Sequence, residues 1–390
     1  MGRAACDGAP ARSSFTLENG LVVELEQSPA SKAWVRLEMP VGALDLPREQ
    51  AHLVEHLVLD ALAAGNGRIG ARSLGAVTNA ATKEHRTVFT AGGPPEETLR
   101  LAWLLRRGLS RADFDEDELA AGLEVLAREA EFRARNSATQ YHAWAWNAVL
   151  RREYEADPII RPLSAPQTTG EELRRIVRTR YGPEGSRLEV SSPYPPSRLK
   201  EPISAMFSDW RSESSVPPQM PVSLPGGTVR LCMEGLTGRS LVIVAASLNG
   251  SIPGREGEAI ATVLTTSASE RVSTAIEEDV SVEMVGVGFD DDSLAEPVWR
   301  FVATFGDDVE WKRLAHLADV IISASWAVDP DAVTQVAAET WFREAHATRC
   351  GPPPPRPDFD RIEHQPLPPP PKVHTLILVR GVDACSSTDS

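Results

Sequence analysis

Cysteine is scarce: the 390 residues hold four, Cys6, Cys232, Cys350 and Cys385, without the close spacing of a zinc finger or a redox motif. That excludes a small disulfide framework, and the four are expected to be ordinary thiols of a reducing compartment. Long apolar runs are also missing. No stretch approaches the roughly eighteen residues of a membrane helix, and no early stretch has the charged start and apolar run of a signal peptide, so a cytoplasmic, non-membrane protein is expected. Positive charge is in deficit, 40 Lys and Arg against 55 Asp and Glu, for a net charge of -15 and a pI near 5.1. Nucleic acids and anionic membrane surfaces select for a basic face, so both are set aside as partners. An acidic exterior suits a basic peptide substrate, but solubility alone would account for it.

Histidine is scarce too, with eight in all, yet two of them fall within five residues, His-Leu-Val-Glu-His at 52 to 56. Side chains four apart on a helix share a face, so His52 and His56 can converge, with Glu55 beside them. Zn²⁺ takes neutral imidazole nitrogens in a tetrahedral set and, in catalytic sites, leaves one position for water that an adjacent carboxylate can deprotonate. The pentapeptide is the reversed form of the zincin signature. Two histidines on a solvated helix face would read the same way, so the surrounding segments must decide.

A third ligand has to come from another element. The stretch 112 to 135, ADFDEDELAAGLEVLAREAEFRAR, has an acidic start and then a long apolar-periodic run, which predicts a helix. On it Glu124 and Glu131 stand seven apart, two turns along one face. By itself such a pair is ordinarily a solvated charge stripe.

Taken together these segments resemble the pitrilysin/insulinase family of inverzincin metallopeptidases. FTLENGLVVELEQ (15 to 27) stands where the family opens with a strand, HLVEH stands for the catalytic motif, and LGAVTNAATKEHRTVF (74 to 89) resembles the family's Asn-Ala-x-Thr strand. EADPIIRPLSAPQTTGEELRRIVRTRYGPEGSRLEV resembles a later family passage, so the likeness covers most of residues 15 to 210. It implies zinc held by His52, His56 and Glu131, Glu55 as general base, and Glu124 as an outer carboxylate that orients a ligand. It also implies a peptide bound as an added strand along the segment containing Asn79 and Ala80; His85 and Arg86 beyond it read as exposed strand residues. This sequence departs from the pattern at Glu49, where the family has glycine three places before the first histidine, and at Leu59, Asp60 and Ala61.

The fold expected from the likeness is α+β, two related halves, each an antiparallel-rich sheet packed by helices. Residues 1 to 12 should be disordered, 13 to 212 form the zinc-binding half, 213 to 226 (SESSVPPQMPVSLP) link the halves, and 227 to 390 form a half without the zinc motif. Within the latter, the Pro-rich 351 to 371 reads as a spacer or a polyproline II ligand, followed by a strand-like VHTLILV and, after Gly381, a disordered tail. Trp144 and Trp146 should pack against the long ligand helix, and His142 is a surplus donor.

Active family members carry an arginine and, seven residues on, a tyrosine in the second half. SERVSTAIEEDVSVEM places Glu277 and Met284 there. A carboxylate repels an oxyanion and a thioether donates no hydrogen bond. Either the chain is impaired, or a homologous second subunit supplies the pair in a heterodimer. The resemblance thus implies a zinc endopeptidase acting on peptides or unfolded segments, such as a leader-removing protease for a lanthipeptide-like product. A non-catalytic interaction subunit of the same fold is the alternative.

Overall fold

The computed structural model describes residues 11–47, 49–64, 70–110, 114–135, 138–160, 168–213, 222–247, 282–290, 298–306, 308–325 and 374–385. In chain order the strands are β1 (Arg12–Thr16), β2 (Val22–Gln27), β3 (Ala33–Met39), β4 (Val77–Thr82), β5 (Thr87–Gly93), β6 (Ile159–Ile160), β7 (Arg187–Ser192), β8 (Gly227–Met233), β9 (Ser240–Ser247), β10 (Val282–Asp290), β11 (Val298–Phe305) and β12 (His374–Gly381). The principal helices are α1 (Gln50–Ala64), α2 (Thr98–Ser110), α3 (Glu116–Arg135), α4 (Ala138–Leu150), α5 (Gly170–Arg180), α6 (Pro196–Phe207) and α7 (Trp311–Ser325). Two six-stranded sheets result, ordered β1-β2-β7-β3-β5-β4 and β10-β11-β9-β12-β8-β6. The α+β expectation and the two sheet-and-helix halves are as observed.

The chain divides into two compact units, but not at one place. The first takes Met1–Arg128 and Ser164–Gln219, while Glu129–Leu163 joins the second together with the C-terminal segments. The expected half of 13 to 212 is therefore interrupted. The reason is visible in α4: Tyr141, Trp144, Trp146, Val149 and Leu150 are buried, and their helix packs on β6, β9, β10 and β12. Arg300 lies over the Trp146 ring at 4.7 Å. Both tryptophans lie on the helix that packs on the second sheet.

In the first unit, residues 15 to 27 make a hairpin instead of one strand. β1 and β2 pair antiparallel, and the chain reverses at Asn19-Gly20, where Gly20 has φ 87, a left-handed conformation glycine adopts without a steric penalty. Sheet strands bury alternate residues: Val35, Leu37 and Met39 of β3 face inward while Trp34 is exposed. α1, α2, α5 and α6 cover this inner face and share one core with it. Asp115 caps α3 reciprocally with Glu118, each side chain accepting the other's backbone N–H, at 2.8 and 3.1 Å.

In the second unit the strand-like VHTLILV appears as β12, and it lies in one sheet with β8, β9, β10 and β11. Two expectations are overturned there. Cys232 on β8 and Cys385 form a disulfide, so these are not free thiols. Disulfides persist in oxidising surroundings, and cysteine usage therefore lends no support to a reducing compartment. The tail after Gly381 begins with an ordered helical turn, Val382–Cys385, held by that bond. Glu277, most of the linker and the Pro-rich segment lie outside the described residues. No described helix is long and apolar enough to cross a membrane.

Candidate metal centre

α1 is a core helix with chemistry set into one stripe. Leu53, Val54, Leu57 and Val58 are at most 4% exposed, so nearly every side of the helix is packed. His52 and His56 are half-buried, and their Nε2 atoms stand 3.1 Å apart, as the four-residue spacing requires. His52 Nδ1–H donates to Glu49 Oε2 at 2.9 Å. Glu49 itself sits at the entry to α1, with its carbonyl accepting from Leu53 N at 2.8 Å.

Glu55 is 7% exposed and is held by β4: the Thr82 hydroxyl donates to its Oε2 at 2.6 Å. Tyr181 is buried nearby. Burial pushes its phenol well above the usual range, the negative charges of Glu55 and Asp45 act in the same direction, and the group stays protonated.

β4 is the edge of the first sheet among the described strands, pairing with β5 alone. Its residues alternate. Val77, Asn79 and Ala81 are exposed, whereas Thr78, Ala80 and Thr82 are half-buried, and the strand packs beside α1. Asn79 and Ala80 thus lie on an open edge next to the histidine helix. His85 and Arg86 are not exposed strand residues. They sit half-buried in the β4–β5 turn, where His85 pairs with Asp45 at 3.0 Å and Arg86 with Glu38 at 3.2 Å.

The group that the structure brings together has a different third carboxylate from the one expected. The ligand atoms of His52, His56 and Glu129 lie within 4.8 Å of one another, and Glu131 is not in that group. α3 shows why. Leu119 and Leu126 are buried, and a Cβ on Gly122 would meet Leu53 Cδ1 at 3.0 Å and Leu57 Cδ2 at 3.2 Å, so the 119, 122, 126 stripe faces α1. Continuing that stripe by three residues reaches Glu129. Glu131 is two residues further, about 200° around the helix, and is exposed. Glu124 shares its side: it is 70% exposed and lies 3.8 Å from Arg128, so it cannot orient a ligand of this group. The Glu-x(6)-Glu spacing selected the solvated stripe; the apolar residues on α3 would have selected Glu129.

These donors fit zinc. Two imidazoles and a carboxylate are its usual partners in catalytic sites, and bonds of about 2.0–2.1 Å in a tetrahedron separate ligand atoms by about 3.4 Å. The 3.1 Å between the imidazole nitrogens is close to that value. No described histidine, cysteine or acid outside this group forms another such cluster of three. Met284 lies on β10 opposite Thr304, with a register shift between Val282 and Met284.

No family model matches the chain, and neither does any curated protein. Solved structures do. The fold is similar to that of a protease from Helicobacter pylori, with a TM-score of 0.65 at 13% identity over 95% of this chain and 100% of that one. It is similar to the periplasmic protease PqqL from Escherichia coli, with a TM-score of 0.67 at 11% identity over 95% of this chain and 45% of that one. Pitrilysin aligns with a TM-score of 0.58 at 16% identity, over 93% of this chain and 40% of its own. With two sheets of matching build and helices on each, the chain has the pitrilysin-like fold.

Proposed function

We propose that this protein is a zinc-dependent endopeptidase. The observation that carries the reading is the convergence of His52, His56 and Glu129 beside a buried Glu55, on a helix adjoining an open sheet edge. Zinc, when bound, supplies Lewis acidity at the scissile carbonyl and lowers the pKa of water. Glu55 takes a proton from the attacking water and returns it to the leaving amine. Thr82 holds that carboxylate in one orientation through its 2.6 Å hydrogen bond. The exposed edge of β4 pairs with the main chain of an extended peptide, so Asn79 and Ala80 meet substrate through backbone as well as side chain. Such pairing tolerates varied sequence and requires an unfolded segment, which suits removal of a leader from a ribosomally made, modified peptide.

The decisive experiment measures zinc content and peptide hydrolysis for the wild type and Glu55→Gln. Stoichiometric zinc in both, with turnover lost only in the variant, supports the reading. Metal-free wild-type protein at neutral pH would sink it and favour a non-catalytic interaction subunit.

A homologous partner subunit completes the site in this reading, because Glu277 and Met284 occupy the places of the arginine and tyrosine expected from the resemblance. Neither can donate hydrogen bonds to a developing oxyanion when Glu277 is ionised. Turnover by the isolated chain equal to that with any added partner would refute this part.

A further inference from the structure

Glu49 is the one described non-glycine residue besides Arg152 with positive φ, at 62°. An L-residue there crowds its Cβ against the carbonyl, which glycine avoids, so a glutamate at this position is retained against a local backbone cost. What the side chain does is specific. Its Oε2 accepts from His52 Nδ1–H at 2.9 Å, and the pair is largely shielded, with side-chain exposures of 16% for His52 and 20% for Glu49. In the neutral ring, a proton on Nδ1 leaves Nε2 unprotonated, and Nε2 is the atom that stands 3.1 Å from His56 Nε2 in the ligand group.

We infer that Glu49 is a positioning residue that fixes the tautomer and ring orientation of His52 for metal binding, with its left-handed backbone turning the carboxylate back over the first turn of α1. The inference rests on the zinc reading above. A carboxylate behind a ligating imidazole raises its basicity and typically accounts for a 10- to 100-fold effect on metal affinity. Glu124, expected in such a role, points away from the group, and Glu49 takes its place. The residue's contribution to folding and its contribution to the metal site should then have opposite signs, because glycine would relieve the backbone while removing the carboxylate.

The test compares wild type, Glu49→Gly and Glu49→Gln by chelator-competition zinc affinity, by melting of the metal-free protein, and by nitrogen-15 spectra of the His52 ring without metal. Glu49→Gly is expected to bind zinc about 10- to 100-fold more weakly while its metal-free melting temperature stays level or rises. Its His52 ring should lose the Nδ1–H form that dominates in the wild type. Glu49→Gln keeps an acceptor without the charge and should recover the tautomer and about half the lost affinity on a logarithmic scale. Unchanged affinity in Glu49→Gly, or a loss that follows a falling melting temperature, overturns the inference while the zinc reading stands. Wild-type protein that takes up no zinc overturns both.

Discussion

The two sheets repeat one plan. β2, β7, β3, β5 and β4 correspond in order to β8, β12, β9, β11 and β10: in each, the first pair is parallel and the remaining three are antiparallel. The topology is the same, yet the chemistry is on one side. Between β3 and β4 the chain inserts α1 with His52, Glu55 and His56, whereas residues 248 to 281 between β9 and β10 contain no histidine. Backbone pairing tolerates many side chains, so a repeated fold carries no commitment to a repeated function. The metal group depends instead on three donors at one point, and residues 248 to 281 offer no imidazole for a second such group.

That contrast is most exposed to test at the ligands. Glu129→Gln should abolish stoichiometric zinc, while Glu131→Gln should leave zinc affinity within about twofold, because the two carboxylates lie on opposite sides of α3. Metal analysis of the purified variants decides this, and the reverse outcome would restore the Glu-x(6)-Glu assignment. A smaller effect belongs to the other unit. Replacing Cys232 and Cys385 with serine should cost about 2–4 kcal/mol by losing a cross-link that closes a long loop. Differential scanning calorimetry should show the loss, with zinc affinity of the folded protein untouched because neither cysteine is in the ligand group; a fall in zinc affinity would place the cross-link behind the metal group.

Gly122→Leu probes the helix contact. With Leu53 Cδ1 only 3.0 Å from a Cβ at this position, a large side chain forces α3 off α1, and a loss of about 1–3 kcal/mol is expected by chemical denaturation. Zinc affinity should fall with it, since Glu129 is carried by the same helix. Thr82→Val is the mildest change: it removes the hydroxyl that orients Glu55 and should lower kcat about tenfold, close to the net value of one hydrogen bond to a charged group. KM and zinc content should hold, and Thr82→Ser should restore the rate. A rise in KM alone would reassign Thr82 to substrate binding.

Several elements are legible in the sequence. The four-residue spacing of His52 and His56 puts both on one helix face, and their Nε2 atoms do converge. The likeness of 74 to 89 to the family's Asn-Ala-x-Thr strand points to a strand there, and 77 to 82 is one, at an edge. The choice of carboxylate is not legible from acid spacing. Glu124 and Glu131 satisfy a seven-residue repeat, and so do Gly122 and Glu129, because any two helical positions seven apart share a face. Which face turns inward is set by Leu119, Leu126 and the absent side chain of Gly122 against α1. Likewise the 129 to 163 segment reads as part of the first half from its place in the chain, but its buried tryptophans belong to the second sheet.

Local periodicity is written into the chain itself: a helix with two imidazoles and a carboxylate on neighbouring turns, strands that alternate, and no second cluster of histidines. Partnership is settled by packing: Glu129 as the third donor, Thr82 behind Glu55, Glu49 behind His52, and Cys232 bonded to Cys385. The physical reason is the range of each effect. Helix and strand geometry follow from neighbouring residues along the chain, whereas a ligand set joins atoms more than seventy residues apart, and their meeting is fixed by which apolar faces pack.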